Sequence, residues 1–106
     1  MIINKYYDND TLTIKLEGKI DSNNYKELEK EINNLDNVKK LIIDLENVNY
    51  IVSAGISLLL VFNNIMSKKG EIIILNPNPF IQDLFESLNI TDIINVKNTN
   101  GLQKVK

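Results

Sequence analysis

The sequence predicts an α/β sandwich with an open mixed sheet, its elements following in the order ββαβαβαβ. Three observations carry this. Runs of strand length rich in β-branched and aliphatic residues recur along the chain, and segments with apolar residues at helical spacing separate the later ones. The first two runs are separated only by a turn-forming cluster. Alternating strand and helix patterns imply parallel strands joined by crossover helices packed on the sheet.

Ile2 to Tyr7 and Thr11 to Glu17 flank Asp8, Asn9 and Asp10, and the second run alternates Leu12, Ile14 and Leu16 against Thr13, Lys15 and Glu17. That pattern is a half-buried hairpin. From Ser22 onward Tyr25, Leu28, Ile32 and Leu35 recur at helical spacing, with Lys26, Glu27, Glu29, Lys30 and Glu31 on the other side as a solvated face. Leu41 to Leu45 is a buried strand followed by the polar linker Glu46, Asn47 and Asn49. A helix from about Ala54 to Lys68, stopped at Gly70, leads to a parallel strand at Ile72 to Leu75. Asn76 to Pro79 forms a turn that also starts a helix, with Asn78 as its cap and Pro79 at its first position. Phe80, Ile81, Leu84, Phe85 and Leu88 supply the apolar face of that helix. Ile93 to Val96 completes the sheet as an edge strand, and Lys97 to Lys106 is a polar tail of short helix or frayed coil.

With 106 residues, 43% of them apolar, residues 1–106 read as one domain with one core. Histidine and cysteine are both absent. Metal sites, thiolate nucleophiles and neutral-pH acid–base chemistry usually draw on them, so neither an enzyme nor a metal or cofactor is expected. The net charge is −2, and twelve scattered lysines without a single arginine offer no basic stripe, which disfavours nucleic acid. The longest unbroken apolar run, Leu58 to Phe62, is far short of the ~20 residues of a membrane span, and no signal-peptide pattern opens the chain. The expectation is a soluble, cytoplasmic protein without membrane insertion. None of the four glycines falls in a phosphate-loop spacing. Asp44, in a buried strand, reads as a hydrogen-bonded structural carboxylate. The seventeen asparagines are too many for any one to be singled out as functional.

The most informative stretch is LIIDLENVNYIVSAGISLLLVF, Leu41 to Phe62, which joins a strand to a helix through Ser53. A serine there can cap the helix by accepting a free backbone N–H, and it also exposes a hydroxyl at the positive helix end, where a phosphate is tolerated. Both roles stay open at this point. Crossover geometry places the loops after the second, third and fourth strands at one end of the sheet, which would make Asp21, Ser53 and Asn76 neighbours. At 100° steps, Leu58, Leu59, Val61, Phe62, Ile65 and Met66 form a core face, and Ser57, Asn63, Asn64 and Ser67 a wet one. Ile56 and Leu60 lie among the wet residues beside Ser53. They read either as a docking patch for a protein partner or as residues covered by a neighbouring loop.

These residues resemble a known family. DLENVNYIVSAGISLLL is similar to the signature D-L-x-x-(V/L)-x-(Y/F)-(I/M)-(D/S)-S-(S/A/T)-G-(L/I) of STAS domains of the bacterial anti-sigma factor antagonist type, and Gly18-Lys19-Ile20-Asp21 resembles the family's G-x-(L/I)-D. The resemblance covers about residues 2 to 98. It implies a single STAS-like domain that binds an anti-sigma factor serine kinase when Ser53 is unmodified and releases it when Ser53 is phosphorylated, a PP2C-type phosphatase resetting the switch. The partner-binding residues it and the helix pattern suggest are Asp21, Ser53, Gly55, Ile56, Ser57 and Leu60. Val52 stands where many members carry Asp, and Ala54 where many carry Ser or Thr. Other members serve as unphosphorylated subunits of transporters or sensory scaffolds, the alternative role for this chain.

Overall fold

The computed structural model describes residues 1–99; the end of the predicted polar tail, residues 100–106, lies outside them. Strands β1 (Ile2–Asp8) and β2 (Thr11–Ile20) form the predicted hairpin, and its two-residue turn places Asn9 in the left-handed region at φ 57°. Helix α1 (Tyr25–Glu29) continues as a 3-10 turn over Lys30–Asn34. Then come β3 (Lys40–Ile51), α2 (Ser53–Met66), β4 (Glu71–Leu75), α3 (Pro79–Ser87), a 3-10 turn at Ile90–Asp92 and β5 (Asn95–Lys97). The strand order is β1-β2-β3-β4-β5, antiparallel between β1 and β2 and parallel across the rest, so the predicted open mixed sheet is present.

Because β2 to β5 are added in sequence in one direction, right-handed crossovers put all three helices on the same face of the sheet. Burial agrees: Leu12, Ile14, Leu16, Leu41, Ile43 and Leu45 are fully enclosed, while Thr11, Thr13, Lys15, Ile42 and Asp44 on the opposite face are only half-buried. The helix face holds one continuous core that joins these strand residues to Leu28, Phe62, Met66, Ile81 and Phe85.

Both central strands run past their predicted ends. The supposed linker Glu46 to Asn49 is strand, paired with β2 as far as Ile20 opposite Ile51. Its alternation is hidden because β3 carries two bulges. While β2 advances from Lys15 to Glu17, β3 advances from Asp44 to Asn47, and Gly18 to Lys19 is matched by Val48 to Tyr50. Inward residues of β3 therefore fall at Leu45, Val48 and Ile51, a spacing of three where a regular strand has two. Asp44 holds the first bulge, its Oδ1 accepting the Glu46 N–H at 2.9 Å, which is the structural use expected of it. Gly18, with φ 98°, supplies the backbone conformation that the β2 side requires.

Other readings are corrected at the edges. Glu31 is buried rather than solvated, held by Lys5 Nζ at 3.3 Å and by Asn34 Nδ2 at 2.7 Å, because the 3-10 turn rotates it toward β1. Phe80 and Leu88 are exposed, so only Ile81 and Phe85 of α3 are fully inserted, with Leu84 half-buried. The last strand starts at Asn95, with Ile94 buried ahead of it and Ile93 turned out. Among the described residues, the four non-glycine residues with left-handed backbone, Asn9, Asn37, Asn76 and Asn89, are all asparagines, a residue type that tolerates that conformation.

Candidate functional site

The carboxyl ends of β2 and β3 converge. Ile20 pairs with Ile51, and the Val52 N–H donates to the Ile20 carbonyl at 2.8 Å, which sets Asp21 and Ser53 side by side, each one or two residues beyond this tie. Asn76 does not join them. Leu75 pairs with Asp44, and β3 continues to Ile51, so roughly 20 Å of strand separates Asn76 from Ser53 at ~3.3 Å per residue. The prolonged, bulged β3 lifts the Ser53 helix start away from the end of β4.

Ser53 is not the cap of α2. Val52 holds the cap position, with extended backbone at φ −81° and ψ 160°, and no side chain closes the helix start. The Val52 carbonyl accepts the N–H groups of Gly55 at 2.9 Å and Ile56 at 3.1 Å. Ser53 therefore occupies the first helical position, exposed, with its hydroxyl free of hydrogen bonds to the described residues. The capping role is overturned by a one-residue shift. The shift leaves the hydroxyl accessible where the first-turn N–H groups and the helix dipole favour negative charge.

Gly55 faces inward. A Cβ there would lie 2.9 Å from both Ile20 Cγ2 and Ile51 Cγ1, so its missing side chain lets α2 press onto the ends of β2 and β3. Ile56, expected as an exposed anchor, is buried at 6% exposure, and Leu60 is half-buried and packed against the core. Neither presents an apolar patch to solvent. Both residues are covered because α2 is embraced on more than one side: the sheet lies beneath it and α1 beside it. The exposed stripe of α2 is narrow, comprising Ser53, Ser57, Val61 and Asn64, and its apolar member is Val61, which faces solvent and not, as its place on the helix predicts, the core.

Asp21 is half-buried and partly committed to its own turn. Its Oδ1 accepts the N–H of Asn23 at 2.9 Å and of Asn24 at 3.1 Å, while its N–H donates to Asn24 Oδ1 at 2.8 Å. Two concavities adjoin this end of the sheet. One, of about 450 Å³, is lined by Lys19, Asp21, Asn49 and Tyr50. The other, of about 320 Å³, runs between α1 and α2 and is lined by Tyr25, Glu29, Ala54, Ser57, Leu58 and Val61. Sequence reasoning missed Tyr50 and Val61. Tyr50 lay in a presumed linker, and Val61 carried no polar signal.

The family model for the STAS domain matches residues 3–101, and the chain belongs to that family. Solved structures share its fold. The anti-sigma factor antagonist SpoIIAA in its unphosphorylated form is 22% identical, with TM-score 0.69 over 80% of this chain and 82% of that one. An anti-sigma factor antagonist from Mycobacterium paratuberculosis is 17% identical, with TM-score 0.83 over 91% and 84%. The Bacillus cell fate determinant SpoIIAA in its phosphorylated form is 19% identical, with TM-score 0.73 over 99% and 100%. The architecture is thus that of the anti-sigma factor antagonists. Among the described residues, no helix is long and apolar enough to cross a membrane.

Proposed function

We propose that the protein is an anti-sigma factor antagonist that works by partner switching in the cytoplasm: it binds an anti-sigma serine kinase while Ser53 is unmodified and is released when Ser53 is phosphorylated. The observation that carries this reading is the exposed Ser53 hydroxyl at the first position of α2, next to Asp21 and without a hydrogen-bond partner among the described residues. Similarity to a Bacillus protein known in a phosphorylated form supports it. The docking face is the Ser53, Ser57 and Val61 stripe with the groove beside α1, in place of Ile56 and Leu60. The protein acts by binding and release, without chemistry of its own; a PP2C-type phosphatase returns it to the binding state.

The switch follows from electrostatics. A phosphate adds a charge of about −1.5 to −2, which the helix start accepts, so the fold stands. In a closed interface the same dianion loses water, and this chain has no arginine to receive it. A loss of about 3 kcal/mol weakens binding by roughly two powers of ten. The test is affinity capture from the native host with wild type, Ser53→Ala and Ser53→Asp as baits, followed by mass spectrometry of the captured proteins and of residue 53. Wild type and Ser53→Ala should retain a serine kinase that Ser53→Asp loses. Equal capture of one partner by all three, with no phosphate on Ser53, would instead assign the chain to a transporter-associated or scaffold role.

A further inference from the structure

We propose that β1 is a self-association edge, at which two copies of this chain pair antiparallel to form one continuous sheet. Among the described residues β1 has β2 on one side and no strand on the other, which leaves one row of its backbone N–H and C=O groups along the sheet edge. Two of the usual protections, a proline and a bulge, are missing. β1 contains no proline, its register with β2 is unbroken from Ile2 to Asp8, and Ile2, Tyr6 and Tyr7 are exposed at 56%, 57% and 59%. The lysine that could guard the edge, Lys5, is drawn to Glu31 on the helix face.

The edge suits its own copy. Lys5 and Asp8 balance, so two strands approach without net repulsion. A two-fold axis perpendicular to the sheet requires a residue to face itself, and Lys5 on the axis would oppose like charges. Moving the axis to Asn4 removes that conflict and sets Ile2 opposite Tyr6 of the second copy on the open face, an aliphatic–aromatic pair made twice. Ile3 then meets the aliphatic stem of the second copy's Lys5 on the other face. Edge pairing alone buries less than a standard interface, so the dimer forms in the upper part of the concentration range tested.

The chain contains no cysteine, which makes the register directly readable. Sedimentation of the full chain from about 1 µM to about 1 mM should show the mass rising from one copy toward two. Under mild oxidation Asn4→Cys should cross-link, because directly opposed Cα atoms in an antiparallel pair lie about 4.5 to 5.5 Å apart, within disulfide reach. Asp8→Cys should not, since the two copies of that residue would be about 26 Å apart at ~3.3 Å per residue. Asn4→Lys, which opposes two ammonium groups at the axis, should raise the dissociation constant by up to about fivefold. A chain that stays monomeric throughout, a dimer unaffected by Asn4→Lys, or equal cross-linking of both cysteine variants would overturn the proposal.

Discussion

Helices α2 and α3 begin with the same backbone and close in opposite ways. Val52 and Asn78 both take extended cap conformations, at ψ 160° and 167°. Asn78 accepts the Ile81 N–H at 2.8 Å through its side chain, donates from Nδ2 to the Val48 carbonyl at 3.3 Å, and is followed by Pro79. That start is finished by its own polar chemistry. The Val52 side chain has no acceptor to offer, and the start of α2 is held by its tie to Ile20 and by Gly55 and Ile56 buried against the strand ends. A helix start fixed by packing leaves its polar groups available. In α2 these include the Ser53 hydroxyl.

The sharpest way to break this contrast is Ile56→Asp, which places an unpaired charge in the packing that holds α2. It should cost more than about 3 kcal/mol, lowering Tm by at least about 12 °C in a domain of this size. Thermal unfolding unchanged from wild type would mean that α2 does not depend on that packing. Gly55→Ala comes next. Its Cβ overlaps Ile20 and Ile51, an overpacking penalty of about 1–3 kcal/mol against roughly 1 kcal/mol gained in helix propensity, for a net loss near 1 kcal/mol by denaturant titration. Asn78→Ala removes the cap of α3 and should cost about 1 kcal/mol by the same titration. Ser53→Ala should shift stability by no more than about 0.5 kcal/mol, since no cap bond is lost, while abolishing kinase-dependent release. A loss at position 53 equal to that at position 78 would restore the serine to a capping role.

The two starts also differed in legibility. Asn78-Pro79 carries its cap and its fixed φ in adjacent letters, so that helix start could be read residue by residue. The start of α2 depends on which residue turns the chain, and Val52 does so because β3 holds it against β2, a tertiary fact without local signal. The strands and their order were readable because β-branched runs and helical spacings alternate cleanly. The extension of β3 was not, because its bulges replace the two-residue period with a three-residue one. Asp21 and Ser53 were brought together correctly by topology alone, whereas Asn76 was misplaced by that same unseen extension. Ile56 and Leu60 were misread because a helical projection gives directions and says nothing of how far neighbours wrap around the helix.

The bulges in β3 also bear on how this chain can vary in length. Removing one extra residue between Leu45 and Ile51 would restore the two-residue period at that bulge, with Val48 or Ile51 still turned inward. Removing one residue between Leu41 and Leu45 would turn the rest of the strand inside out. Single-residue gaps between this chain and its relatives should therefore gather just ahead of the serine, where the chain can shorten by one step without exchanging its inner and outer faces.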